Sequence, residues 1–453
     1  MTTSSVSADL AKEFDRIPGR PSDAIRILHA SDLFLEAPFQ GVVQRDPRLV
    51  AELTEASLVV FERLVDLALG RQVQVVLLAG GICGGVNRGP RAFRRFYRGI
   101  ERLSDAGIRV VWVEGEQDAG EAWSASIRRL PGVFRFSSVG FESIRVELPD
   151  APAIRIHGFS YGSTIGGGAN TVSAVAETRP FSSLFRRSEE PAVQVGLLWA
   201  HVGADSGDGM VVETRQLSDV GLDYWALGGT RARRDIPLAR GVGHYPGTPQ
   251  GRGFGEAELG GKGCSIVDLS PSAPPKIQFV RVESVVLARP VIDATGLDDR
   301  GALVERLRQV VAEVARTAVG RTLLVRPRII GSTVLHHFLA SDSGQQDLVR
   351  GLTFGDAPVW VDQIDADTRA AIDRHSATER DDLCGEIARL AFGQGADEVF
   401  VGSIETVLGK TLEKSLEGPA RQRWHDASPE VRTKWIAKAA DIAMSLVRAQ
   451  EGA

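Results

Sequence analysis

AIRILHASDLFLEAPFQG, residues 24–41, opens with the apolar run IRILHA and breaks at once into a loop carrying an aspartate. The pattern returns down the chain. VQVVLLA at 73–79 precedes GGICGG, and IRVVWV at 108–113 precedes EGEQDAG. AIRIHG at 153–158, VQVGLLW at 193–199 and DYWALG at 223–228 complete the set. Each run is short, rich in Val, Ile and Leu, and followed by Gly or a small polar residue. That pattern predicts buried strands ending in functional loops.

Between the runs, Leu53, Ala56, Val60, Leu64 and Leu67 fall on one helical face and Gly70 is a natural stop. Phe93–Leu103 behaves similarly. After a polar lead-in at 1–22, an α/β domain is expected over 23–282, closing with the strands CSIVDL at 264–269 and IQFVRV at 277–282 around the turn SPSAPP at 270–275. A smaller α/β unit is expected over 283–365. It holds an amphipathic helix on Leu303, Val304, Leu307, Val310, Val311 and Val314, then the strand-like TLLVRPRII at 322–330. Pro327 inside that run predicts an edge strand, because proline cannot donate to a ladder. The remainder, 366–453, is charged and helical. Its last helix is expected to start at Ser428 and Pro429, to share Val431, Trp435, Ile442 and Leu446 on one face, and to dock on its own domain.

Composition narrows the function. The chain has 453 residues, 43% hydrophobic and 25% charged, with net charge −5. That is ordinary for a globular protein of two or three compact units, and it lacks the basic balance of a dedicated nucleic-acid binder. Cys83, Cys264 and Cys384 lie far apart with no CxxC pair, against a disulfide framework or zinc site and in favour of a reducing cytoplasm. The polar start and the lack of a long apolar run predict neither export nor a membrane span. The Gly-rich GSTIGGGAN at 162–170 and GICGG at 81–85 lack the Lys-Ser or Lys-Thr of a P-loop and read as flexible loops.

Four loop stretches carry the chemistry: HASDLFLEAPFQG at 29–41, LLAGGICGG at 77–85, WVEGEQDAG at 112–120 and DYWALGGTRARR at 223–234. In order and spacing they resemble the calcineurin-like metallophosphoesterases, and among them the SbcD-type DNA exonucleases that include YhaO-like proteins. PFQG at 38–41, HYPGTPQGRGFGEAELGGKGCSIVDL at 244–269 and RPRIIGSTVLHHFL at 326–339 extend the resemblance over most of the chain. It implies an α/β metallophosphoesterase-type β-sandwich flanked by helices, a small α/β capping domain over 283–365 and a helical C-terminal region. In such enzymes carboxylates and imidazoles hold two divalent cations, one carboxylate bridging them, and the pair activates a water and clamps the phosphate oxygens.

Position by position, the donors are mostly gone. Asp32 matches the first aspartate, but the histidine after it is Phe34. Gly81 stands for the bridging aspartate, Glu116 for the asparagine and Gln117 for the catalytic histidine, while Asp118 keeps the frame. Trp199 stands for the lone histidine, and Gly229 and Arg231 for the last pair. No catalytic residue is expected among these positions. Asp32, Glu116 and His201 are the residual metal candidates; they offer no bridge, and two cations a few ångströms apart repel strongly without paired carboxylates. No cofactor follows beyond a single weakly bound Mn or Mg ion. Asp32 and Asp118 read equally as acceptors for loop N–H groups, and His29 as packed within its strand.

Arg231, Arg233, Arg234 and Arg252 are candidate phosphate or DNA contacts, against the plainer reading of a solvated loop with local ion pairs. FRRFYR at 93–98 resembles a stacking platform, but Phe93, Phe96 and Tyr97 at helical spacing read as core with the arginines outside; FRRSEE at 185–190 reads likewise. The resemblance implies an SbcC-like coiled-coil ATPase partner, with DNA, and no membrane. Three functions follow: an inactive or strongly impaired family member binding DNA or the ATPase, an active metal-dependent phosphoesterase or exonuclease with an altered centre, and a protein–protein scaffold with no nucleic-acid role.

Overall fold

A computed structural model describes residues 14–43, 46–83, 89–118, 127–138, 140–161, 185–203, 210–352, 354, 357–371 and 374–392, with scattered positions between 423 and 447. GSTIGGGAN, Gly84 and Gly85 of GICGG, and Pro429 and Leu446 of the last helix lie outside them. By contact the chain forms two units. One comprises Met1–Arg289, Ala312–Arg326 and Phe354–Asp362; the other comprises Pro290–Val311, Pro327–Thr353 and Gln363–Ala453.

The first unit begins with β1 (Ile25–Ala30), α1 (Pro47–Gly70), β2 (Val75–Ala79), α2 (Pro90–Asp105), β3 (Arg109–Val113) and β4 (Val133–Arg135). Asp46 caps α1 by accepting the Arg48 N–H at 2.8 Å, and Pro47 takes the first turn, where its missing N–H costs nothing. Next come β5 (Glu142–Val146), β6 (Ile154–Gly158), β7 (Val193–Trp199), β8 (His201–Val202), β9 (Val211–Val212) and α3 (Thr214–Val220). Then follow β10 (Tyr224–Gly228), β11 (Arg234–Pro237), β12 (Val242–Tyr245), β13 (Gly263–Ser270) and β14 (Ala273–Arg281).

Two six-stranded sheets result, ordered β14-β13-β1-β2-β3-β4 and β11-β12-β10-β7-β6-β5. The inner strands run parallel, and β13, β14, β5 and β11 pair antiparallel. Strand alternation builds the sandwich. Ile25, Ile27, Val75, Leu77, Val111 and Val113 meet Ile154, Ile156, Val195, Leu197, Tyr224 and Ala226 between the sheets. Leu28, Val76, Leu78, Val110 and Trp112 face the other way onto Phe61, Leu64, Phe96 and Ile100 of α1 and α2. Strands covered on both faces need apolar residues at every position, which is why the runs read as continuous. Phe96 is core, Phe93 and Tyr97 pack against it, and Arg91, Arg95 and Arg102 pair outward with Glu55, Glu62 and Asp66. Phe185 is likewise core, and Arg187 binds Asp223.

The same unit holds a parallel sheet of β15 (Val285–Ala288), β17 (Thr322–Val325) and β19 (Val359–Val361). The second unit holds a parallel sheet of β16 (Val291–Asp293), β18 (Arg328–Thr333) and β20 (Asp365–Ala370). The helix α4 (Arg300–Ala315) buries Leu303, Leu307 and Val311. After β18 come α5 (His336–Ala340) and α6 (Asp342–Gly351), the latter capped by Ser341, whose hydroxyl accepts the Gly344 N–H at 3.1 Å. TLLVRPRII is therefore two central strands in different sheets, not one edge strand. Arg326 donates to the Ala288 carbonyl and Arg328 to the Pro290 carbonyl, so Pro327 sits at the hand-over, where no donor is required. The SPSAPP turn is shorter than expected: Ser270 pairs with Ala273, and the two later prolines already lie in β14. Of the C-terminal region, α7 (Arg374–Thr378) and α8 (Leu383–Phe392) supply Ala377, Cys384 and Ala388 to a small core with Met444, so the last helix docks on its own unit. Ser428 Oγ accepts the Val431 N–H at 3.4 Å.

The two large sheets come closest at Gly228. A Cβ there would lie 1.7 Å from the Ala79 carbonyl oxygen and 3.0 Å from Ser31 Cβ. Backbone cannot swing aside as a side chain can. Gly228→Ala should therefore cost about 3 kcal/mol, the upper end for overpacking, read as a lower urea midpoint at unchanged slope; an unmoved midpoint would refute the close approach.

Candidate functional site

Parallel strands deliver their loops to one edge. Asp32 follows β1, Gly80 and Gly81 follow β2, Glu114–Asp118 follow β3, Trp199 ends β7, and Gly229 follows β10. Main-chain bonds lace the first loop to the second: Asp32 N–H donates to Gly80 O at 2.8 Å, Phe34 to Gly81 O at 2.8 Å, and Leu35 to Ile82 O at 2.9 Å. Asp32, Phe34 and Glu36 all sit at positive φ, a strained state for side-chain-bearing residues that concentrates at functional loops.

At the centre lies the Trp199 indole. Its Nε1 donates to Asp32 Oδ1 at 3.2 Å, and the Gly229 N–H donates to Oδ2 at 3.0 Å. A Cβ on Gly80 would sit 2.6 Å from Trp199 Cδ1, one on Gly115 2.9 Å from Trp199 Nε1, and one on Gly229 3.4 Å from Trp199 Cε2. The indole thus lies against three backbone glycines. Tyr161 closes on it edge-on at 5.5 Å. Gly81, where the bridging aspartate belongs, has φ +67, and a Cβ there would meet Asp32 Oδ1 at 2.6 Å. No side chain fits that position.

The residual metal candidates are not brought together. Asp32 is spent on Trp199 and Gly229, Glu116 is exposed, and His201 packs its half-buried ring against Trp199 at 5.7 Å. Among the described residues, no group of three or more His, Cys, Asp or Glu side chains is placed to hold a metal ion. The donors present do not fit a two-cation centre. Asp118 is a loop clasp: its oxygens accept the Cys83 and Gly115 N–H groups, each at 2.7 Å. Gln117 is exposed. His29 is fully buried and bonds Tyr224 Oη through Nδ1 at 2.9 Å.

The arginines separate. Arg233 stacks on Phe279 at 4.2 Å, and Arg234 donates to Val202 O at 2.8 Å. Arg231 pairs with Glu258 at 2.6 Å, and Arg252 stacks on Phe34 at 4.2 Å. Sequence reasoning missed Thr248, which donates to Asp32 O at 2.9 Å, and Glu258 and Lys262 beside Arg231. All three lie inside the long motif at 244–269, but nothing in their spacing marks them.

Burial is the largest influence on Asp32 and pushes its carboxyl from 3.8 to about 6, against the Gly229 and Trp199 hydrogen bonds that lower it. The native state therefore holds this proton more tightly than the unfolded chain. The resulting stability is complete below pH 3.8 and is lost as pH rises through about 6. At about 1.4 kcal/mol per pH unit this is a loss of roughly 3 kcal/mol. Asp32→Asn should abolish most of that fall, although it gives up one acceptor. Urea unfolding of both proteins at pH 4 and 7 reads the difference; parallel pH dependence would show that Asp32 titrates normally.

Residues 288–369 match the family model described as metallophosphoesterase YhaO, middle domain. The chain is 26% identical over 295 residues to the uncharacterized metallophosphoesterase YhaO of Bacillus subtilis, covering 64% of this chain and 69% of that one. It is 24% identical over 288 residues to the SbcD component of the nuclease SbcCD from the same organism, covering 57% and 70%. A dimetal phosphatase from Danio rerio is similar in structure, at 12% identity and TM-score 0.35 over 57% of this chain and 99% of that one. The chain belongs to the calcineurin-like metallophosphoesterase family, as a relative of YhaO and SbcD.

Proposed function

We propose that the chain is a catalytically inactive or strongly impaired member of this family, a subunit whose loops bind DNA or an SbcC-like coiled-coil ATPase without cutting a phosphodiester. The observation that carries this reading is the Trp199 indole, wedged against Gly80, Gly115 and Gly229 and hydrogen-bonded to the only unchanged ligand, Asp32. A cation pair needs a bridging carboxylate to offset its own repulsion, and Gly81 cannot accept a side chain. The relative named as a component of the nuclease SbcCD supports an ATPase partner. Exposed Arg233 and half-exposed Arg231 support contact with a phosphate backbone. The three cysteines are free and buried, in keeping with a reducing cytoplasm. No helix among the described residues is long and apolar enough to cross a membrane.

Purified protein incubated with excess manganese and desalted should keep well under one equivalent of metal, and should not cleave single- or double-stranded DNA in manganese buffer. Stoichiometric metal together with turnover that Asp32→Ala abolishes would establish the altered-centre enzyme instead. For DNA, reversing the charges of Arg231, Arg233 and Arg234 together should weaken binding and flatten its salt dependence. Absence of binding by the parent protein at low salt would leave a protein–protein scaffold.

A further inference from the structure

Arg252 is a charged side chain held where charge is costly. Only 7% of it is exposed, and its guanidinium lies over the Phe34 ring. Its Nε is buried with no hydrogen-bond partner, and among the described residues no ion pair closes on it. The nearest carboxylate does not serve it. Glu258 gives Oε1 to Arg231 at 2.6 Å and Oε2 to the main-chain N–H of Arg252 at 3.0 Å, leaving the guanidinium itself unanswered. Burial lowers the pKa of Arg252 and Arg231 lowers it further, yet an arginine stays protonated across the physiological range.

Arg231 supplies a second guanidinium at 5.9 Å from the same Phe34 ring, and its side chain is 41% exposed. Lys262, also buried, donates to the carbonyls of Arg231 and Ala257. Glu283, the other carboxylate felt by Lys262, is taken by Arg281. Three cations thus converge around Glu258, so the cluster carries an excess of positive charge. Arginine forks match the oxygens of a phosphate, and stacking on an aromatic face fixes the plane of the fork. We propose that Arg252 and Arg231, mounted on Phe34, form a metal-independent receptor for a phosphate group. The receptor goes beyond the non-catalytic reading, because it needs neither a metal nor its absence.

Inorganic phosphate titrated into the full chain in EDTA, at constant ionic strength set with chloride, tests it by calorimetry. Saturable binding at one site is expected. Arg252→Met should lose about ten- to a hundredfold in affinity, the range for a charged hydrogen bond. Arg231→Met should lose less, because Glu258 already holds that side chain. Thermal melts guard against misfolding: phosphate should raise the Tm of the parent in a concentration-dependent way. Arg252→Met should melt at or above the phosphate-free parent, having shed an unpaired buried charge, and should not respond to phosphate. A 5′-phosphorylated oligonucleotide preferred over its 5′-hydroxyl twin, with the preference lost in Arg252→Met, assigns the group to a nucleic-acid end. Equal affinity for the two strands beside intact phosphate binding assigns it to a small free oxyanion. No saturable binding by the parent, or unchanged affinity in Arg252→Met, overturns the receptor. Manganese-dependent turnover is measured separately, so a failure of the non-catalytic reading is not mistaken for a failure of this one.

Discussion

The site is organised by a mutual exclusion between an indole and a carboxylate. With Trp199 bonded to Asp32 and lying on Gly80, Gly115 and Gly229, the space that an aspartate at position 81 needs is already bounded by Asp32 itself. The substitutions at these positions are therefore not independent. A tryptophan at 199 requires bare backbone on the facing loops, and bare backbone at 81 removes the negative charge that a cation pair requires. Packing and electrostatics select the same set of residues.

The frame persists because side chains do not hold it. The first two loops are laced by N–H to carbonyl bonds from Asp32, Phe34 and Leu35, which any residue can make. Asp118, outside the set of metal-ligand positions, clasps the second and third loops through the N–H groups of Cys83 and Gly115. Buried backbone donors must find acceptors, so this carboxylate is constrained by folding alone. Ligand positions are thus free to change while the scaffold of parallel strands keeps its shape.

That division explains what the sequence could and could not disclose. The strands of both large sheets were legible because both faces of each strand are covered and the apolar runs are unbroken. Gly70 and Phe96 were legible because helical spacing fixes their faces. Pro327 was misread because a one-dimensional run cannot show that its two halves join different sheets. At the site, residue types revealed which donors were missing, but not where Trp199 would lie: a tryptophan in a histidine position could equally have pointed away. The four arginines looked alike in sequence. Only three dimensions separate Arg233 and Arg234, satisfied by Phe279 and a carbonyl, from Arg252, whose guanidinium is left over.

Charge ties these threads together. A two-cation centre is neutralised by the carboxylates around it, so losing the cations while keeping the carboxylates would leave negative charges facing each other across a dry cleft. Here the carboxylates have gone with the metal-binding positions, and the one retained ligand, Asp32, is pushed toward its neutral form by burial. The positive charge has not vanished in step. It sits on Arg231, Arg252 and Lys262 at the rim of the same loops, with Glu258 too few to balance it. A loop cluster that had become mere packing would have no reason to keep a desolvated guanidinium, since an apolar side chain of similar volume on Phe34 would be as stable or more so. Its presence is best understood as a cation that an incoming anion completes.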